Sequence, residues 1–127
     1  MAMQNNAYAQ YNRNKILTAS PQELTLMLYD GAIKFCNIAM AGVDEGDVQK
    51  AHNNIMKVQA IIEEFQMTLD FKYPVANDFN NVYNYIMTRL REANMSKDKA
   101  ILEEVSGHLH TMRDTWKEAM KLAAKQG

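Results

Sequence analysis

Disulfides, sheets and nucleic acid are the first things this sequence argues against. It holds a single cysteine, Cys36, so no internal disulfide can form, and a lone thiol fits a reducing compartment. Only two prolines and five glycines interrupt it, and no window alternates apolar and polar residues with the two-residue period of a strand. Neither sign of charge dominates: 14 Lys and Arg stand against 15 Asp and Glu. That balance lacks the basic face a dedicated nucleic-acid binder needs. The opening stretch "MAMQNNAYAQYNRNKI" has no apolar run of signal-peptide length, and no later stretch reads as able to span a bilayer. Together these absences predict a cytoplasmic, all-α protein with no nucleic-acid partner and no membrane insertion.

What remains is helix. A chain of 127 residues has the length of one domain with a real core. Ser20 is placed to cap a helix, Pro21 suits its first position, and Glu23 can reach back to complete a capping box. The first helix is predicted over Pro21–Ala41, ending at "GVDEGD". A second starts near Asp47 with Val48, Ala51, Ile55, Val58, Ile62 and Leu69 at helical spacing, until "FKYP" breaks it. A third starts around Pro74 and presents Val75, Phe79, Val82, Ile86, Leu90 and Ala93 before the "NMSK" turn. The fourth starts near Ser96 or Lys97, with Ile101, Val105, Leu109, Met112, Trp116, Ala119 and Ala123 on one stripe. Short connections between long helices predict an antiparallel up-and-down four-helix bundle over residues 20–127. Residues 1–19, rich in Asn and Gln, read as a mobile N-terminal arm or short cap helix with apolar anchors Tyr8, Tyr11, Ile16 and Leu17.

The first helix is more apolar than one core face requires. Its polar residues Glu23, Asp30, Lys34 and Asn37 share a strip about 60° wide on a helical wheel. Leu28, Ala32, Phe35 and Ala39 mark the middle of the apolar side. Leu24, Met27 and Ile38 flank it one way; Leu26, Tyr29, Ile33 and Met40 flank it the other. Met56, Ala60 and Met67 form a line beside the core stripe of the second helix, and ten methionines in all suit a surface that accepts more than one shape. These features predict an apolar groove completed by the N-terminal arm, by a second copy of the chain as a homodimer, or by a partner segment; the plainer alternative is that the first helix is simply the most central one. The open flank is expected on the Leu26, Tyr29 and Ile33 side, because Tyr29 would bring a polar tip to a half-buried edge.

Catalytic chemistry is thin. His108 and His110 stand two apart, on opposite sides of a helix, and cannot share a metal. No Glu-x-x-His pair exists for a di-iron site, no glycine-rich loop for a phosphate, and Cys36 has no activating neighbour. Glu63-Glu64 and Glu103-Glu104 read as solvated helix surface. A histidine phosphotransfer domain would need His52, in "KAHNNIMK", which is expected beside the core stripe and out of reach of phosphate. The residues therefore describe a binding protein, neither enzyme nor cofactor carrier, with a self-assembling helical protein as the alternative.

Three stretches carry a resemblance: "AYAQYNRNKILTASPQELTLMLYDGAIKF", "NDFNNVYNYIMTRLREAN" and "EEVSGHLHTMRDTWKEAM". In that order, over nearly the whole chain, they resemble the flagellar secretion chaperone FliS family. The most specific pieces are Leu17 to Ala32, the Tyr83-x-Tyr85 to Leu90 segment, and Trp116 with its neighbours. The resemblance implies a cytoplasmic chaperone that binds the disordered C-terminal region of flagellin, prevents premature polymerisation, and delivers the subunit to the flagellar type III export apparatus. It also implies that the N-terminal arm can cover the groove when empty. Relatives often carry Asn-Pro-Tyr where this chain has Asn6-Ala7-Tyr8. On this reading the flagellin-binding residues are Tyr8, Tyr11, Ile16, Leu17, Leu26, Tyr29, Ile33, Met56, Ala60 and Met67.

Overall fold

The computed structural model describes Gln10 and residues 13–126, apart from the side chain of Gln126. A helical segment over residues 13–18 (α1) precedes four long helices: α2 (Pro21–Glu45), α3 (Val48–Met67), α4 (Val75–Ser96) and α5 (Lys99–Gln126). The described residues contain no strand. The predicted all-α bundle is what the chain forms.

Each boundary has a local cause. Ser20, in extended conformation, accepts the Glu23 N–H on its Oγ at 3.2 Å. Glu23 answers with its carboxylate on the Ser20 hydroxyl rather than on the backbone N–H of a full capping box. Helix α2 runs four residues beyond the predicted Ala41, because the residue that stops it is Gly46, at φ 71. That left-handed conformation is one glycine adopts without a Cβ clash. Gly42 does other work: a Cβ there would meet the Ala51 backbone nitrogen at 2.8 Å, so its lack of a side chain lets α3 approach α2 closely. Asp47 caps α3 through the Lys50 N–H. Lys97, at φ 53, closes α4, and Asp98 accepts the Ala100 N–H to start α5 at Lys99, two or three residues later than expected.

The core is built from α2, α3, α4 and α5 together. Ile55, Val58 and Ile62 of α3, Ile86 and Leu90 of α4, and Leu102, Val105 and Leu109 of α5 are fully buried, around Ala32, Cys36 and Ala39 of α2. Small residues on α2 let its neighbours α3 and α5 come close. By length and composition α2 could also cross a bilayer, contrary to the sequence expectation that no stretch could; in this fold it packs between α3 and α5 as one of the four bundle helices. At the α2 N-terminus the Trp116 indole N–H donates to the Gln22 carbonyl at 3.0 Å, tying α5 down across the bundle.

Three predicted stripes are corrected. Val48 is exposed at the start of α3. On α4 the line Val75, Phe79 and Val82 faces solvent, while Ala76, Tyr83 and Met87 turn inward. The two lines lie side by side on the wheel, and the helix rotates to let Tyr83 stack on Phe65 and reach Tyr29. On α5, Ala119 and Ala123 are exposed. At 1.5 Å per residue this 28-residue helix is roughly 42 Å long, about 9 Å longer than the 22-residue α4 beside it.

Candidate functional site

Helix α2 presents two apolar flanks, and the bundle treats them differently. On one, Tyr29 and Ile33 are each 6% exposed. The Tyr29 ring packs on Phe65 with centroids 4.5 Å apart, and its hydroxyl meets that of Tyr83 at 3.3 Å. Burial raises the pKa of both phenols, so both stay protonated and one donates to the other. Deeper on the same helix, the Cys36 thiol donates to the Leu102 carbonyl at 3.3 Å, and burial pushes its pKa up to about 12. That thiol is packing, as its sequence surroundings indicated.

The other flank is open among the described residues. Leu24, Met27 and Leu28 are half-buried and, with Ile16 of α1 and Glu64 of α3, line a groove of about 410 Å³. Further along α2, Ile61 of α3 lies against Gly31, and the Lys57 ammonium sits 5.1 Å above the Phe35 ring. Beyond these, α3 exposes Met56, Ala60 and Met67, the last 79% accessible. Met87 alone among the described methionines is buried.

The expectation that Tyr29 and Ile33 are partly wet groove residues is corrected: both belong to the core, because α3 and α4 supply aromatic cover for that flank. Leu26 is half-buried. Phe35, expected at the middle of the buried side, is only partly buried. Ile16 reaches the groove while Leu17 points outward, 74% exposed. Met56, Ala60 and Met67 are exposed as the line beside the stripe implied. Tyr8 and Tyr11 lie outside the described residues.

Other candidate chemistry is dispersed. No cluster of potential metal ligands occurs among the described residues. His108 bonds Glu104 at 3.1 Å and His110 bonds the Ser106 carbonyl at 2.8 Å, on separate sides of α5. Glu104 is not idle surface: it accepts from Tyr85 and Arg89 of α4 as well as His108, and these bonds lower its pKa to about 2. His52 is half-buried, yet it borders an open cleft and is not sealed off as expected.

Comparison with known proteins places this geometry. The family model for the flagellar protein FliS matches residues 3–123. The chain belongs to the FliS family. Curated FliS relatives include the flagellar secretion chaperone FliS of Bacillus subtilis, 38% identical over 125 residues, covering 98% of this chain and 93% of that protein. The flagellar secretion chaperone FliS of Salmonella typhimurium is 32% identical, covering 94% and 92% of the two chains. A solved structure described as a flagellar chaperone from bacteria superposes with a TM-score of 0.74 over 93% of this chain and 98% of that one, at 18% identity, which establishes a shared fold. The FliS resemblance read from the three sequence stretches is thereby confirmed. Sequence reading found both flanks of α2 but preferred the covered one. It missed the cleft at His52, whose residues come from two helices and share no periodic signal.

Proposed function

We propose that this protein is a cytoplasmic flagellar export chaperone that holds the disordered C-terminal region of flagellin, prevents its premature polymerisation and hands it to the flagellar type III export apparatus. The observation that carries this reading is the open Leu24, Met27 and Leu28 flank beside Ile16, in a chain whose relatives are named flagellar secretion chaperones. The docking surface would begin there and continue over Met56, Ala60 and Met67, with Ile16 and Leu17 at its margin.

The energetics suit a client that is unfolded until bound. Ordering a disordered segment costs several kcal/mol, so the contact must be large; burying 1,000 Å² of apolar surface offers about 25 kcal/mol gross. An exposed methionine line accepts imperfectly matched side chains. Helix-in-groove docking would supply part of the contact. Binding of this kind needs no nucleotide and no chemical step.

The test is calorimetric titration of the full chain with a C-terminal flagellin fragment, beside flagellin lacking that segment. Saturable binding of the fragment and none of the truncated flagellin supports the reading. Equal behaviour of the two overturns it. Growth of light scattering at micromolar concentration, unaffected by the fragment, would favour self-assembly through the same groove.

A further inference from the structure

Between α3 and α4, on the side of α3 away from the open groove, lies a cleft of about 440 Å³ bordered by His52, Gln59, Arg91, Asn94, Met95 and Lys97. Its polar groups are ordered by a relay. The Lys97 ammonium donates to the Asn94 carbonyl and, at 2.6 Å, to its Oδ1. That holds the Asn94 amide against His52, whose Nδ1 lies 3.0 Å from Asn94 Nδ2 and 3.2 Å from its Oδ1. With Nδ1 engaged by Asn94, Nε2 is the ring nitrogen left for a ligand among the described residues. Arg91 has no ion pair or hydrogen bond among the described residues. Gln59, only 9% exposed, borders the cleft with its amide unpartnered among the described residues.

The cleft thus gathers the Arg91 guanidinium, the His52 ring and the solvent-reached amide of Gln59, with no carboxylate among its bordering residues. The acids adjacent in sequence to Arg91 and Lys97 are engaged elsewhere: Glu92 pairs with Arg89, and Asp98 caps α5. The geometry points to a carboxylate-recognition site for an acidic side chain of an otherwise apolar peptide. Charge favours a carboxylate over a phosphate. Lys97 is occupied with the carbonyl end of α4, where the helix dipole is negative, which leaves Arg91 as the one uncommitted cation for a single negative charge. A planar carboxylate also fits the guanidinium fork. The apolar flank of such a peptide would meet Met95, 89% exposed, and Met56, 47% exposed and one turn from His52.

This site shares only Met56 with the proposed docking surface, and its test uses no flagellin. The full chain is titrated with acetyl-Leu-Glu-Leu-amide, with its Gln counterpart and with inorganic phosphate, following the side-chain N–H signals of Gln59, Arg91 and His52 by NMR. The Glu peptide should shift all three saturably and bind at least tenfold more tightly than the Gln peptide. Arg91→Gln, at an exposed position, should melt normally and lose that preference. Gln59→Leu should weaken binding while keeping the charge. Equal response to both peptides, or no saturable shift, overturns the proposal. Tighter saturation by phosphate than by the Glu peptide assigns the cleft to phosphate and overturns it as well.

Discussion

The two flanks of α2 have nearly the same chemistry and opposite fates. Tyr29 and Ile33 are sealed inside, against Phe65 and Tyr83, whereas Leu24 and Met27 line a groove that, among the described residues, Ile16 borders. Apolar composition identifies a surface that must avoid water; it does not say what will cover it. Across the first flank stand the large aromatic rings of α3 and α4. Across the second stands the polar edge of α3, with Lys57 and Glu64. A flank facing charges is not closed by the described helices of its own bundle, and an uncovered apolar surface of this kind marks an interaction site.

The most damaging way to probe this contrast is Ile33→Asp. A carboxylate placed at a 6% exposed core position has no partner, so the domain should lose at least about 3 kcal/mol and melt far below the parent protein. A normal thermal melt would return that flank to the surface. Met27→Asp is the matched change on the open side. It should leave the melt within about 0.5 kcal/mol of the parent yet weaken binding of a C-terminal flagellin fragment by about 2 kcal/mol, as expected of an apolar anchor. Full binding by this variant would move the docking surface elsewhere.

Tyr29→Phe sharpens the closed side more gently. It strands the buried Tyr83 hydroxyl and should cost about 1 kcal/mol by chemical denaturation, while leaving fragment binding unchanged. Ile16→Ser probes the partial cover of the open side: stability should change by less than about 0.5 kcal/mol, and the free protein should bind more of an apolar dye. The last prediction concerns the clasp between α5 and α4, the helix that carries Tyr83 to the closed flank. The Glu104 pKa lies below the ordinary carboxylate value, because the folded state bonds its charged form to Tyr85, His108 and Arg89. Its stabilising contribution is present above the ordinary value and is lost as pH falls toward about 2. The melting difference between the parent protein and Glu104→Gln should therefore shrink over that interval.

Much of the molecule was legible in advance. Ser20, Asp47 and the "FKYP" break located helix starts and stops because caps and turns act through neighbouring backbone groups. The α3 stripe of Ala51, Ile55, Val58 and Ile62 is buried as its spacing implied. The α4 stripe was misread in its first half because Val75, Phe79 and Val82 lie beside Ala76 and Tyr83 on the wheel, and both lines look equally able to face inward. Tyr29 misled for a related reason. Its polar tip suggested a wet edge, but the hydroxyl is satisfied inside by Tyr83, a residue 54 positions away.

The sequence by itself determined the helices, their order, the surplus of apolar surface on α2 and the family, since all of these rest on local spacing or on ordered motifs along the chain. Only the tertiary structure decided which flank of α2 stays open, which face of α4 turns inward, and that His52, Gln59 and Arg91 share a cleft. Those outcomes depend on how each helix is rotated about its own axis, and that rotation is set by the whole set of side chains it meets.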